Sequence, residues 1–227
     1  ILYTNVSMAK YIPDSSNIRW VILAPSRVQK PHVKKDAGAK HCFFCPGNED
    51  QTPCEVDRIA HESKWLVRVF PNKFPITDIH EVIVHTPHHT KELTEMDKEE
   101  LTNLFLMYQK RVRVLANEGV PILFRNRGEH AGTSIPHPHS QLIILPKQIN
   151  LQALSLEPIK NEITRNEQFV AYCPDFSQFP YEVWIAHNDC ALSEPSAETI
   201  QKIQLVNFNE AELTSLCRLL QKTITAM

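Results

Sequence analysis

One strand–linker–helix pattern occurs twice in this chain, and the repeat limits the available folds more than any other feature. The apolar run at residues 81–85 follows a Phe-Pro pair and resembles the run at 182–186, which also follows Phe-Pro. Residues 100–104 then resemble residues 212–216, and each helical pattern continues into a Gln-Lys pair. Ordered matches of this kind indicate two copies of one supersecondary unit.

Local periodicity predicts the elements of each copy. Apolar residues recur at helical spacing over residues 94–118, with Thr94 as the expected N-cap, and again from Leu213 to Ile224. Runs rich in β-branched and aromatic residues predict strands at 20–24, 66–70, 81–85, 121–125, 141–145, 168–172 and 181–186. The predicted fold class is α+β, with two related units that each consist of an antiparallel sheet and a packed helix.

The two units are expected to divide the chain at residue 148. Residues 1–148 would form the first unit and residues 149–227 the second. The first unit continues from its helix into two further strand patterns, whereas the second reaches Met227 before any matching strands. We therefore expect the second unit to be incomplete within these 227 residues.

The charge balance excludes some classes of protein. The chain has 24 Lys and Arg against 26 Asp and Glu, a formal net charge of −2. This balance argues against a polybasic protein that binds nucleic acid or a membrane surface. Without an apolar run of 18 residues or a secretory leader, we expect a soluble, cytoplasmic protein.

Cysteine and histidine are the residues that point most strongly to chemistry. Seven of the 11 His lie between residues 80 and 139, and Cys42 and Cys45 form a C-x-x-C pair. This pair lies in a segment rich in turn-forming residues, which suits a tetrahedral metal better than a thioredoxin-type redox site. The histidine-rich segment can supply two further ligands. Thiol redox chemistry is the weakest alternative.

Residues 125–141 contain most of the chemical information. In an extended chain His137, His139 and Gln141 share one face, and the intervening prolines favour that conformation. The preceding Gly-x-x-x-Gly-Thr-Ser at 128–134 offers backbone N–H groups and hydroxyls, as an anion-binding nest would. Two imidazoles beside such a loop suit attack on a phosphate. The alternatives are exposed loop histidines, or two metal ligands with no nucleophile.

The motifs H-P-H-x-Q, preceded by G-x-S-x-P, resemble those of the galactose-1-phosphate uridylyltransferase family of the histidine-triad superfamily. The resemblance covers nearly the whole chain. It includes the N-terminal strand and basic turn (20–27), the zinc knuckle (42–49) and the nucleoside-binding strand end (67–75). It also includes the segment of the third zinc ligand (86–90) and the start of the second repeat (179–182).

The resemblance implies a structural zinc held by Cys42, Cys45, His89 and His137. His88 is the competitor for the third position. Four protein ligands close the tetrahedron and leave no open position for catalysis. A second metal is not supported by the residues present, because the second repeat lacks the family's histidine-rich segment.

The resemblance also implies a nucleotidyltransferase with a ping-pong cycle. His139 would attack the α-phosphorus of a nucleotide sugar, and a sugar 1-phosphate would then take the nucleotidyl group from the histidine. The expected reaction is uridylyl transfer between hexose 1-phosphates, in galactose metabolism and by a homodimer. The implied catalytic residues are His139, Gln141 and Ser134, and the implied substrate-binding residues are Arg27, Lys30, Asn72, Asn126, Gly132 and Thr133.

Two departures from the family pattern keep other functions open. Lys73 follows Asn72, where the uridine-specific members carry an acidic residue, and Ser140 stands where those members carry Gly. The serine resembles the related ADP-glucose phosphorylases, so adenylyl transfer to phosphate is one alternative. A zinc-stabilised nucleotide-binding protein without transferase activity is the alternative from another class.

Overall fold

The structure is a computed structural model that describes residues 9–15, 20–25, 27, 42–149, 159–191 and 204–227. Within those ranges the chain forms antiparallel sheets and two long helices, which confirms the predicted α+β class. In chain order the elements are β1 (Lys10–Pro13), β2 (Trp20–Leu23), β3 (Asp57–His61), β4 (Lys64–Pro71), β5 (His80–Val84), α1 (Lys98–Leu115), β6 (Val120–Phe124), β7 (His139–Leu145), β8 (Glu162–Arg165), β9 (Phe169–Tyr172), β10 (Trp184–His187) and α2 (Glu210–Ala226).

The described residues fall into two compact units. One unit contains those up to residue 91 together with 111–149, and the other contains 92–110 together with those from residue 159 onwards. The predicted boundary after residue 148 stays a prediction. Neither of the two long helices in the described ranges has the length and apolar character needed to cross a membrane.

A five-stranded antiparallel sheet in the order β3-β4-β5-β7-β6 dominates the first unit. In β5 every residue is buried, and most of β4 and β7 is buried as well. The register pairs Val84 with His139 and Val82 with Gln141. Gln141 also pairs with Phe124 of β6, so its backbone is held between two strands, whereas the backbone of His139 is held by β5.

A buried ion pair ties α1 to this sheet. Arg111 donates to both carboxylate oxygens of Glu81, at 3.0 and 2.7 Å, and lies 3.4 Å from Asp57 Oδ2. Glu81 is fully buried. Loss of the arginine would leave a buried carboxylate without its counter-charge, which typically costs several kcal/mol. The pair thus fixes the helix end on β3 and β5.

The second unit has a three-stranded antiparallel sheet in the order β10-β9-β8, and α2 packs against β8 and β9. Both helices begin with a capping box. Asp97 and Glu100 exchange backbone–side-chain hydrogen bonds at α1, and Asn209 and Glu212 do the same at α2. The expected cap at Thr94 is therefore wrong, because the Asp97 side chain is the one that accepts from a first-turn amide of α1, that of Glu100.

Two glutamines show that the repeat extends to tertiary contacts in this unit. Gln109 in α1 donates to the carbonyl oxygens of Leu205 and Phe208, at 3.0 and 2.7 Å. Gln221 in α2 donates to two carbonyl oxygens within residues 93–96, both at 2.8 Å. Each helix therefore holds the segment that precedes the other helix, through equivalent glutamines of the two copies.

Candidate active site and metal centre

The C-x-x-C segment forms a tight turn that places both sulfurs on one side. The carbonyl oxygen of Cys42 accepts hydrogen bonds from the amide of Cys45 at 3.1 Å and from Asn48 Nδ2 at 2.9 Å. Gly47 has a φ of +88°, a conformation that residues with a Cβ rarely adopt. The turn is thus fixed by its own hydrogen bonds, and both thiols are free and buried.

Two histidines complete a cluster with these thiols. The ligand atoms of Cys42, Cys45, His89 and His137 all lie within 4.8 Å of one another. Cys45 Sγ is 3.3 Å from His89 Nδ1 and 3.5 Å from His137 Nδ1, and Cys42 Sγ is 3.7 Å from the latter. His88 is exposed and does not belong to this cluster. The chain therefore contains a Cys2His2 group that could bind a metal.

The protonation states of the cluster suit a cation. His137 Nε2 lies 2.7 Å from the carbonyl oxygen of Thr86, so the N–H donates there and the Nδ1 lone pair faces the sulfurs. Burial lowers the pKa of His137 to about 4, which keeps the ring neutral. Burial and the neighbouring Cys42 sulfur raise the pKa of the Cys45 thiol to about 12. A bound cation would stabilise the thiolate that burial disfavours.

A cavity of about 260 Å³ opens beside this cluster. Every predicted catalytic and substrate-binding residue in the described part of the chain lines it. These are Arg27, Asn72, Asn126, Gly132, Thr133, Ser134, His139 and Gln141. Lys30 lies outside the described residues. The rest of the wall is largely aromatic and aliphatic, as in most small-molecule sites.

His139 is held in one ring orientation at the cavity wall. Its Nδ1 lies 2.8 Å from the carbonyl oxygen of His137, so Nδ1–H donates and Nε2 keeps its lone pair. The Phe44 ring packs against the imidazole with centroids 5.2 Å apart and an interplanar angle of 74°. The arrangement leaves Nε2 as the nitrogen that can act as a nucleophile.

The amide of Gln141 lies in a polar network that sequence reasoning did not foresee. Gln141 Oε1 is 3.0 Å from Nε2 of the buried His80 and 3.5 Å from Asn72 Nδ2. The other side of the His80 ring accepts from the amide of Ile76, at 3.0 Å. His80 was a histidine without a predicted role, and only the fold brings it to Gln141.

The glycine-rich loop differs in part from the predicted nest. The Gly132 amide donates to the Glu129 carbonyl at 2.9 Å, and the Thr133 amide donates to the Gly128 carbonyl at 3.2 Å. Both N–H groups are therefore used to close the loop, which corrects the expectation that they face an anion. Thr133 Oγ1 is buried and finds no hydrogen-bond partner in the described part of the chain, so its hydroxyl is one donor of this loop that its own hydrogen bonds do not use.

Arg27 is the predicted basic residue that the structure brings to the cavity. It donates from Nη1 to the carbonyl oxygen of Phe74 at 3.1 Å, and Lys73 lines the same wall. Burial lowers the pKa of the Arg27 guanidinium, although an arginine stays charged at neutral pH. Two cations therefore face the cavity, as expected for a site that receives phosphate groups.

Ser140, which departs from the family pattern, lies behind the cavity. It is buried, and its hydroxyl is 2.8 Å from Nε2 of the buried His85. Burial holds the pKa of His85 well below its ordinary value, so the ring is neutral. The serine thus connects β7 to the end of β5 and does not line the cavity itself.

Comparison with known proteins confirms the resemblance seen in the motifs. Residues 72–147 match the sequence model of the galactose-1-phosphate uridyl transferase N-terminal domain. The chain is 24% identical to ADP-glucose phosphorylase of Arabidopsis thaliana, over 78% of this chain and 65% of that protein. It is 26% identical to galactose-1-phosphate uridylyltransferase of Thermotoga maritima, over 73% of this chain and 62% of that protein. It therefore spans less than two thirds of the length of these two homologues.

Solved structures share the fold. The crystal structure of Arabidopsis thaliana ADP-glucose phosphorylase with bound ADP-glucose matches 96% of this chain and 77% of its own, with a TM-score of 0.69 and 22% identity. A uridylyltransferase mutant matches 94% of this chain and 72% of its own, with a TM-score of 0.66 and 18% identity. The chain therefore has the same fold as these two proteins.

Proposed function

We propose that this homologue of galactose-1-phosphate uridylyltransferases and ADP-glucose phosphorylases is a nucleotidyltransferase that acts on nucleotide sugars through a nucleotidyl-histidine. The observation that carries the proposal is the orientation of His139. Its Nδ1–H donates to a backbone carbonyl, which makes Nε2 the nitrogen with the lone pair, and the residue lines a cavity together with cations and amides. A protein that only binds nucleotides has no need of a nucleophile held in this way.

In the first half-reaction His139 Nε2 attacks the α-phosphorus and expels sugar 1-phosphate. The P–O bond to the leaving group breaks as the P–N bond forms, and the leaving phosphate carries away the electron pair. Nδ1–H becomes more acidic as the ring gains positive charge, so its hydrogen bond to the His137 carbonyl strengthens in the transition state. The backbone thus stabilises the charge that the nucleophile acquires.

Hydrogen-bond donors that are already fixed in the site would bind the phosphoryl oxygens. Gln141 is held through its carbonyl oxygen, and Thr133 and Ser134 add hydroxyls from the loop. Arg27 and Lys73 add positive charge at the cavity wall. Preorganised donors of this kind typically contribute about 10²–10³ in rate each.

The aromatic part of the cavity suits a nucleoside. Phe43, Phe44, Phe70, Phe74 and Phe124 all line it. Aromatic walls can pack against a purine or a pyrimidine, because every base presents an apolar face. This wall therefore supports a nucleotide substrate without selecting the base.

We further propose that the metal is Zn²⁺ with a structural role. Thiolate and imidazole ligands at ordinary zinc distances and tetrahedral angles give sulfur–nitrogen separations of about 3.6 Å, and the three separations in the cluster are 3.3, 3.5 and 3.7 Å. When bound, the ion would cross-link the cysteine turn to the start of β7, and it would take no part in the chemical step because all four positions are filled.

Uridylyl transfer between hexose 1-phosphates is the first candidate reaction, and adenylyl transfer from an ADP-sugar to phosphate is the second. Lys73 favours the second, since it stands at the cavity where uridine-specific members carry an acidic residue. Ser140 also favours the second candidate, because a serine at this position resembles the ADP-glucose phosphorylases. It is buried and contacts His85.

A product assay separates these candidates. The protein is incubated with UDP-glucose or ADP-glucose, each together with galactose 1-phosphate, with phosphate, or alone. Formation of UDP-galactose supports the first candidate, and formation of ADP with glucose 1-phosphate supports the second. Saturable binding of either nucleotide sugar without any product would leave only a binding protein.

A further inference from the structure

His80 lies outside the predicted set of site residues, yet it touches one of them. The residue is 1% exposed at the start of β5, and its ring lies between the amide of Ile76 and the side chain of Gln141. A buried imidazole with hydrogen bonds on both nitrogens has a defined tautomer. That tautomer determines whether each neighbouring group donates or accepts a hydrogen bond.

The tautomer follows from the Ile76 contact. A backbone N–H can only donate, so Nδ1 of His80, at 3.0 Å, is the acceptor and carries no proton. In the neutral ring Nε2 must then carry the proton. Its hydrogen bond partner at 3.0 Å, which is an oxygen of Gln141, is therefore the acceptor.

Asn72 gives the same orientation for the glutamine. Its Oδ1 accepts from the amide of Phe74 at 2.8 Å, so its Nδ2 is the donor that points to Gln141 Oε1, at 3.5 Å. Nδ2 also lies 3.1 Å from Nε2 of His80, because both groups converge on one oxygen. With the glutamine amide reversed, three donors would face one another.

We propose that His80 is a positioning residue that fixes the side-chain amide of Gln141 with its NH2 group toward the cavity. The inference rests on the proposed function, in which that NH2 group donates to the phosphoryl oxygens. His80 itself is not among the residues that line the cavity. It acts through a hydrogen bond to the oxygen of Gln141, while the turn at Ile76 selects its tautomer.

Two substitutions separate the two hydrogen bonds of His80. His80→Asn keeps an acceptor near the position of Nδ1 for Ile76 but does not reach Gln141. His80→Gln places an N–H donor near the position of Nε2 and keeps the bond to Gln141. We expect His80→Asn to slow nucleotidyl-enzyme formation by about 10-fold to 100-fold with little change in KM, whereas His80→Gln retains most of the rate.

A double-mutant cycle excludes a merely structural role. In the Gln141→Ala background, His80→Asn should cause no further loss, because the positioned group is gone. The proposal would be overturned if the double variant lost rate by the product of the two single losses. An unchanged rate in His80→Asn would overturn it as well. Thermal unfolding of each variant checks that the fold is kept.

A second measurement decides the proposal even if the proposed function fails. The Gln141 side-chain NH2 signals are assigned by their loss in Gln141→Ala and followed in ¹⁵N–¹H NMR spectra. We expect them to be those of an ordered amide in the wild type and in His80→Gln, and to shift and average in His80→Asn. Identical signals in all three proteins would contradict a positioning role. A wild type that forms no nucleotidyl-enzyme would contradict the proposed function alone.

Discussion

Nδ1 of His139 lies 2.8 Å from the carbonyl oxygen of His137, whose own ring belongs to the Cys2His2 cluster. The same residue therefore contributes its side chain to the candidate metal centre and its backbone to the orientation of the proposed nucleophile. Because β7 begins at His139, the two sites share one segment of chain. We therefore expect a change at the metal centre to disturb the orientation of the His139 ring.

The first prediction concerns the metal. The wild-type chain should purify with one zinc ion, and Cys45→Ser and His89→Ala should lose most of it, with a lower melting temperature and lower activity. Metal content is measured by atomic emission on the purified protein. Cys54→Ser and His88→Ala are the matched controls, because both residues are exposed and outside the cluster. A variant at His88 that loses metal while His89→Ala retains it would contradict the assignment.

Part of this centre follows from local sequence patterns, whereas His89 and His137 were expected as ligands from the family resemblance. The C-x-x-C spacing and the alternation of His137, His139 and Gln141 are local, so they fix which side chains point together before the fold is known. The His80–Gln141 contact is different, since it depends on the antiparallel pairing of β5 with β7. A contact between residues 61 positions apart leaves no local pattern.

The secondary-structure elements likewise divide into those predicted by a local pattern and those that depend on tertiary pairing. The buried strands β4, β5 and β7 and both helices are predicted within a few residues, because burial imposes a periodic pattern. Strand β3 is not predicted, since its sequence Asp-Arg-Ile-Ala-His is mostly polar and it becomes a strand by pairing with β4. The amides of Gly132 and Thr133 were expected to face a ligand, but they close their own loop instead.

The second prediction concerns base selection at Lys73. Lys73→Asp should raise the ratio of kcat/KM for UDP-glucose to that for ADP-glucose by about two- to fivefold, a typical effect for one exposed charge. A carboxylate can accept from the imide N–H of uracil, whereas the Watson–Crick edge of adenine offers an unprotonated ring nitrogen beside its amino group, so the gain should be larger for uracil. Lys147→Asp, an exposed change away from the cavity, should leave the ratio unchanged. A ratio that moves toward ADP-glucose would contradict the role of Lys73.

The third prediction concerns Gly119, where the loop after α1 enters β6. A Cβ at this position would lie 2.1 Å from the carbonyl oxygen of Leu145 and 2.7 Å from Ile144 Cγ2, so β6 would have to move away from β7. Gly119→Ala should destabilise the protein by about 1–3 kcal/mol in chemical unfolding. Asn117→Ala, at an exposed position of the same loop, should change stability by less than about 0.5 kcal/mol. Equal stabilities of the two variants would refute the close approach.

The fourth prediction concerns alkaline pH and Cys217. This thiol is buried in α2, and burial raises its pKa to about 12. The unfolded thiol ionises near its ordinary value of 9.0, whereas the folded thiol stays protonated, so its contribution to stability is lost as pH rises from about 9 toward 12. Relative to Cys217→Ala, the wild type should lose up to about 1.4 kcal/mol per pH unit in this range.

Urea unfolding of both proteins between pH 8 and pH 10.5 measures that difference. Parallel stability curves for the wild type and Cys217→Ala would show that the thiol ionises normally in the folded state. Cys54→Ser serves as the control, because Cys54 is exposed and its removal should not change the slope.

The covalent intermediate tests the central proposal most directly. The purified protein is incubated with UDP-glucose or ADP-glucose labelled at the α-phosphate, and the protein-bound label is counted and located by peptide mapping. We expect close to one label per chain on His139, stable to base and labile to acid, and none in His139→Ala, which should keep its metal. His130→Ala, an exposed change in the preceding loop, should label normally. Labelling of His139→Ala at the wild-type level, or failure of the metal-loaded wild type to take label from either nucleotide sugar, would contradict the account.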